Sequence, residues 1–427
     1  MKITNKFLKL NDLVKSVIDN RGKTPPLSDG PYELIETTSI TGKNKFPDYS
    51  KITKFVDKNT YLNWFRKGHP KINDILIATV GANIGNVVIM KENRGCVGQN
   101  LVALRINEEK SDANYIYYLL STTNIQEALK GLDIGSAQPS IKVSHFLNLQ
   151  LNNIHNISEQ KEISKLLSKF DDTIENYLKK INILDSIIKK IYLSFFKNFN
   201  SLNFEKKIKF KETELGKIPE NWSIIKVNDI ADIYNGCSYS SSDIFENSSE
   251  GNLFIGLKSI NKNGGFRDDF TEKRYIGKFK KTHLVYNGSL IIAVTDMTQE
   301  RAVVGRIARI PNIEDKKAII SMDLVNVIPK KNIPNNYLYD YFRFSNVCEH
   351  LKEFANGTNV LHLKKEVIEN FKIILPTQEL INRYSNNVEM IYNYMDNLHE
   401  KIKKIKNLRE KLLSKLIFKK LNLNKIN

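Results

Sequence analysis

Asn114-Tyr115-Ile116-Tyr117-Tyr118-Leu119 returns as Asn336-Tyr337-Leu338-Tyr339-Asp340-Tyr341, an offset of 222 residues. At the same offset, Gly135-Ser136-Ala137-Gln138-Pro139-Ser140-Ile141 meets Gly357-Thr358-Asn359-Val360-Leu361-His362-Leu363. Each copy then runs into a long stretch of helical spacing, so the chain reads as one unit duplicated in tandem. Two similar modules on one chain suggest a pseudo-two-fold arrangement. On a basic chain, they suggest two half-sites on one duplex.

Outward from these repeats, each module reads as mixed α/β. Asp74-Ile75-Leu76-Ile77-Ala78-Thr79-Val80 is an apolar, partly β-branched run broken by Gly81 and Gly85. Val87-Val88-Ile89 and Leu101-Val102-Ala103-Leu104 are further strand candidates. Residues Asn114 to Leu129 have helical periodicity. Leu290-Ile291-Ile292-Ala293 echoes Ile75–Ala78, Asp323-Leu324-Val325 echoes Asn100-Leu101-Val102, and Val227-Asn228-Asp229-Ile230 echoes Leu10-Asn11-Asp12-Leu13.

Phe170, Ile174, Tyr177, Ile181, Leu184, Ile188, Ile191 and Phe195 fall at alternating steps of four and three, the seam of a coiled coil. No Pro or Gly interrupts Glu159 to Phe199, a helix of roughly 60 Å at ~1.5 Å per residue. After Pro376 the spacing returns at Val388, Ile391, Met395, Leu398, Ile402, Ile405, Leu412 and Leu416. Two such helices, longer than an average globular helix, are expected to pair antiparallel. The predicted division is a first α/β domain over 1–156, a helical region over 157–200, a second α/β domain over 201–375 opened by a connector at 201–218, and a second helical region over 376–427.

The chain has 427 residues, enough for two or three domains with their own cores. Lys plus Arg is 65 and Asp plus Glu is 47, a formal net charge of +18 that favours a polyanionic partner. An abundance of Lys, Ile and Asn throughout is the competing explanation for that charge. Cys96, Cys237 and Cys348 lie far apart without a Cys-x-x-Cys, which argues against a disulfide framework or zinc ribbon and for a reducing compartment. Met1-Lys2-Ile3-Thr4-Asn5-Lys6 lacks a signal-peptide core, and no apolar run approaches the roughly 18 residues of a membrane span. A cytoplasmic protein without a membrane partner is the expectation.

The sequence offers no complete catalytic motif. Gly251-Asn252-Leu253-Phe254-Ile255-Gly256 has the glycine spacing of a phosphate loop, but Leu257 stands where Lys is needed, so a strand is expected there. Thr24-Pro25-Pro26-Leu27 lacks the acceptor and the stacking aromatic of an amino-methyltransferase clamp. Gly81-Ala82-Asn83-Ile84-Gly85 lacks the third glycine and the acidic residue of a dinucleotide turn. Pro47-Asp48 has no Asp/Glu-x-Lys after it, and the dispersed histidines, His283 and His362 among them, show no metal-ligand spacing. No catalytic residue and no metal site are assigned.

Binding chemistry remains. Lys262, Arg267, Lys273, Arg274, Lys278, Lys280 and Lys281 cluster with Phe266, Phe270, Tyr275 and Phe279 interleaved. Phosphates attract Lys and Arg, while Arg and Gln also read base edges, so Gln299 and Arg301 are candidate readers. Lys43, Asn44, Lys45, Arg66, Lys67 and Lys71 play the corresponding part in the first module. For each residue singly, a solvated surface charge is the competing explanation. The basic run Lys401, Lys403, Lys404, Lys406, Arg409, Lys411, Lys415, Lys419 and Lys420 is read as the polar face of the second long helix, with docking of a partner protein next and tracking of DNA phosphates as the further alternative.

Thr213-Glu214-Leu215-Gly216-Lys217-Ile218-Pro219-Glu220-Asn221-Trp222 resembles the recurring lead into the second recognition domain of type I restriction-modification specificity subunits. Gly135–Ile141 looks like that family's Gly-Ser/Thr-x-Gln-x-x-Ile turn, from which the second copy departs with Val360 in place of Gln. Leu375-Pro376-Thr377-Gln378-Glu379 resembles its lead into a long helix, whose first copy, Ile157-Ser158-Glu159-Gln160, keeps only the Gln.

The resemblance implies two α/β target recognition domains separated by two long helices pairing as an antiparallel coiled coil. It implies a non-catalytic chain that binds bipartite double-stranded DNA and positions two methyltransferase subunits, joined by restriction subunits in the full complex. S-adenosylmethionine, ATP and Mg are then expected on those partners, and none on this chain. The alternative is a coiled-coil scaffold whose α/β modules bind protein rather than DNA.

Overall fold

The computed structural model describes residues 8–40, 44–135, 138–152, 154–198, 209–246, 250–267, 272–313 and 315–418. Lys43, Ser136, Ala137, Phe270, Lys419, Lys420 and residues 201–208 of the connector lie outside them. Two compact units emerge, one of residues 1–175 with 404–427, the other of 176–403. The sequence-based division set the helices apart as regions of their own, whereas each compact unit takes part of both.

The first unit is centred on a four-stranded sheet ordered Val14–Ile18, Leu101–Ile106, Ile75–Ala78, Val87–Ile89. Its central strands, Ile75–Ala78 and Leu101–Ile106, are almost wholly buried, which is why they read as continuous apolar runs. A smaller sheet places Tyr32–Ile35 between Phe55–Val56 and Cys96–Val97, the last pair parallel. Helices Ala113–Leu120 and Thr123–Lys130 cover the core. One helix was expected from Asn114 to Leu129. The chain breaks between the two because Ser121 Oγ and Thr122 Oγ1 turn back onto the carbonyls of Tyr117 and Leu119, each at 2.7 Å.

The second unit repeats the plan. Its four-stranded sheet runs Ala231–Asn235, Leu324–Pro329, Leu290–Ala293, Ile307–Arg309, with every pairing antiparallel. The smaller sheet again has a parallel pair, Asn252–Ile255 with Lys317–Ile320. Strands Ile244–Glu246 and Leu284–Tyr286 enlarge it to five. Between Gly251 and Gly256 the chain therefore forms a strand, Asn252–Ile255, as expected.

Each long helix has 40 residues, Ile157–Phe196 and Gln378–Ile417. In the first unit Ile163 and Leu167 share a core with Leu413, Leu416 and Ile417. In the second, Tyr192 and Phe195 pack on Tyr384 at ring separations of 6.0 and 5.6 Å. Early residues of one helix thus meet late residues of the other in both units, the pattern of an antiparallel pair. Among the expected seam residues, Ile181, Ile188, Phe195, Val388, Met395, Leu398, Ile402 and Leu416 are buried. Phe170, Ile174, Tyr177, Leu184, Ile191, Ile391, Ile405 and Leu412 are half-buried, and none is exposed. No described helix is long and apolar enough to cross a membrane.

Candidate nucleic-acid interface

At one end of each four-stranded sheet, four chain segments converge and are bolted together by backbone bonds. In the first unit Ile141 N donates to Thr79 O at 2.8 Å, and Thr79 N to Asn100 O at 2.9 Å. Gly81, at φ 94°, donates to Pro139 O at 2.9 Å. The second unit has the same bonds. Leu363 N donates to Val294 O at 2.8 Å, and Val294 N to Asp323 O at 2.9 Å. The repeated turn detected in sequence is thus the piece that ties the end of the central strand to its neighbours.

A fourth segment enters each edge from the strand that starts the sheet. In the first unit it is Asp19-Asn20-Arg21-Gly22, where Gly22 takes φ 117°, a conformation favouring glycine. Asp19 accepts from the Arg21 guanidinium through Nε and Nη2, each at 2.8 Å, and from Arg21 N at 3.1 Å. Arg21 Nη1 donates to Thr79 Oγ1 at 3.4 Å. Burial raises the Asp19 carboxyl, but the hydrogen bonds from Arg21, aided by the charges of Arg21 and Lys67, outweigh it and hold the carboxyl below its ordinary range. Sequence reasoning missed Arg21. The available signal was Asp-x-Arg-Gly directly after a strand.

Two of the expected basic residues belong to this edge. Asn20 clasps the 66–68 turn, accepting from Lys67 N at 2.9 Å and donating to Gly68 O at 3.0 Å. Arg66, Lys67 and Lys71 are exposed. In the second unit the corresponding loop carries Cys237-Ser238-Tyr239. There Lys278 O accepts from Tyr275 Oη at 3.1 Å and Cys237 Sγ at 3.5 Å, which brings the exposed Lys278, Lys280 and Lys281 turn against it.

Gln299 and Arg301 follow the strand at the same edge. Gln299 Nε2 donates to Thr358 O at 2.7 Å, and Arg301, at φ 52°, pairs with Glu353 at 2.9 Å. Their loop is anchored by the buried Asp296, which accepts from Thr298 N at 2.9 Å, Val303 N at 2.6 Å and Val304 N at 3.1 Å. Met297, 70% exposed, projects from it.

Other expected contacts are placed elsewhere or engaged. Lys45 is a correction. Its side chain is only 7% exposed, with Nζ 3.0 Å from Tyr118 Oη, 2.9 Å from Ser168 Oγ and 3.7 Å from Asp171. Burial lowers its pKa against the pull of Asp171. It fastens the module to the first long helix, away from solvent, while Asn44 beside it is exposed. Arg274 pairs with Asp315, and Lys273 with Glu246 at 3.0 Å. Arg267 is half-buried and Lys262 exposed in the neighbouring turn. Arg409, read as polar surface, is also corrected, being 15% exposed and paired with Asp171 at 2.6 Å. Among the described residues no cluster of three His, Cys, Asp or Glu side chains is arranged to hold a metal ion.

The profile of the family described as "Type I restriction modification DNA specificity domain" matches residues 3–187 and 219–420, one match for each module. The chain belongs to this family. The specificity subunit is similar to the type I restriction enzyme MjaVIII specificity subunit of Methanocaldococcus jannaschii, with 24% identity over 435 residues that cover 98% of this chain and 93% of the relative. It is similar also to the MjaIX specificity subunit of the same organism, with 26% identity over 385 residues, 88% of this chain and 82% of the relative. The crystal structure of a type I restriction-modification system S subunit from M. genitalium shares the fold, with a TM-score of 0.55 at 16% identity over 98% of each chain.

Proposed function

We propose that this specificity subunit reads a bipartite duplex, one half-site per module, and presents it to methyltransferase subunits without performing chemistry itself. The observation that carries the reading is the pair of sheet edges built on one set of backbone bonds and furnished with different side chains. Arg21 stands at the first, Tyr239, Met297 and Gln299 at the second. A shared frame with divergent contents suits two unlike half-sites, and the exposed lysine turns beside both edges suit phosphates.

The long helices supply a face for partners. Ile183 and Ile187 are 59 and 40% exposed, and Met390 and Tyr394 are 78 and 47% exposed. Each pair is spaced four apart and so lies on one face of its helix. Apolar surface on otherwise charged helices supports docking of the methyltransferase. The partner would supply S-adenosylmethionine chemistry on an adenine turned out of the stack. Restriction subunits would bring ATP and Mg.

The test is methylation of a duplex library by the chain co-purified with its methyltransferase. Adenine methylation confined to one bipartite motif with a fixed gap is expected, with no transfer by this chain alone. Methylation spread over unrelated duplexes would sink the reading.

A further inference from the structure

Arg21 has a geometry that the charge clusters do not single out. It stands at the junction of the converging segments, 25% exposed in its side chain, with its Asp19 partner at 29%. A guanidinium has five N–H donors. Asp19 engages Nε and one hydrogen of Nη2, while Thr79 engages one of Nη1, so one hydrogen on each terminal nitrogen is left. That remaining fork is the group that pairs with the O6 and N7 acceptors of guanine in the major groove.

The surroundings fix the fork in place. Asp19 follows directly on the strand Val14–Ile18, and Thr79 on the strand Ile75–Ala78. Thr79 Oγ1 is itself committed as a donor to Asn100 O at 3.0 Å, which leaves its lone pairs for Arg21. The guanidinium is therefore preorganised between two rigid strand ends, so little side-chain freedom remains to be lost on binding. The cations of the adjoining turn, Arg66 and Lys67, are placed for backbone phosphates through the Asn20 clasp. The second module carries no arginine in the corresponding loop Gly236–Tyr239.

We propose that Arg21, held side-on by Asp19, reads a guanine in the half-site bound by the first module and makes that module's specificity differ from the second's. This rests on the DNA-reading function proposed above. Arg66 and Lys67 contribute affinity without sequence preference, and Arg21 contributes discrimination.

The experiment uses the full chain with its methyltransferase subunit and a library of duplexes randomised across both half-sites, comparing wild type with R21K and R21Q. Arg21→Lys keeps the charge but loses the planar fork. Both variants are expected to lose roughly 5- to 150-fold of preference for G·C at one position of the first half-site. R21K should keep the wild-type salt dependence, and preferences in the second half-site should stay intact in both, which also reports a folded complex. Unchanged preference at every position of the first half-site would overturn the assignment. So would a loss in R21Q that R21K restores in full, since that makes Arg21 a phosphate contact. A wild-type complex with no preference at all would instead overturn the DNA-reading function, and this inference with it.

Discussion

Replacing Asp340 by Asn is expected to remove a pH-dependent loss of stability from the second unit. Asp340 is fully buried. It accepts from Tyr384 Oη at 2.7 Å and Tyr392 Oη at 2.5 Å, both on the second long helix. Arg343 stands 3.9 Å away but is committed bidentately to Asp185 of the first long helix, at 2.8 Å through each nitrogen. Burial pushes the Asp340 carboxyl up to about 7, against the opposing pull of Tyr392, Tyr384 and Arg343, with Asp185 adding to the rise.

In the unfolded chain the same group titrates near 3.8. Between those values the folded protein holds a proton that the unfolded chain has released, so stability falls as pH climbs and levels off above the folded value. From pH 5 to pH 8 the loss amounts to about 2–3 kcal/mol. The side-chain amide introduced by D340N would keep an acceptor for the tyrosines and carry no charge. Urea unfolding can be followed through Trp222, which is buried against Phe196, in a W64F background. The stability of D340N relative to the parent should improve by about 2–3 kcal/mol between pH 5 and pH 8. A difference that stays constant, or moves the other way, would refute the reasoning. It would mean that Tyr384, Tyr392 and Arg343 keep the carboxylate ionised throughout.

The correction at Lys45 gives a second expectation. Lys45→Met should cost about 1–3 kcal/mol of stability in the first unit, read by urea unfolding through Trp64, with DNA affinity of the folded complex unchanged. Reduced affinity at unchanged stability would return Lys45 to the interface. Replacing Lys278, Lys280 and Lys281 together by Gln should lower the slope of log affinity against log salt by about 2–3. The order of preferred duplexes should stay the same, and an altered order would make these lysines readers of sequence.

The frame was legible in the sequence because it rests on periodicity and repetition. The run Ile75–Ala78, the heptads through Ile188 and Val388, and the turn ending at Ile141 and Leu363 all depend on neighbours close in sequence or on a visible second copy. Lys45 was misread because its partners Ser168 and Asp171 come from the long helix, more than a hundred residues on. Nothing local distinguishes it from a solvated lysine. Tyr384 and Tyr392 escaped the seam pattern because their hydroxyls bond to Asp340 of the module, outside the seam, and Tyr384 also packs on the ring of Phe196. Arg21 was passed over for the opposite reason. Charge counting rewards clusters, whereas Arg21 is a single guanidinium held by its own carboxylate, Asp19.

The opening repeat differs at one position in a way that bears on assembly. Tyr118 and Asp340 are equivalent across the offset of 222 residues. In the first unit Tyr118 of the module donates to Asp171 of the first long helix at 2.5 Å. In the second, Asp340 of the module accepts from Tyr384 and Tyr392 of the second long helix. Donor and acceptor have changed sides. A first module seated on the second helix's site would bring Tyr118 against Tyr384 and Tyr392, three hydroxyls without a carboxylate. A second module on the first helix's site would face Asp340 with Asp171, two buried carboxyl groups. The first swap loses the carboxyl that the tyrosine hydroxyls donate to, and the second sets two buried carboxyl groups side by side without the tyrosine donors. The duplicated modules are therefore not interchangeable on their helices. The exchange of donor and acceptor favours each module on its own helix over the swapped pairing.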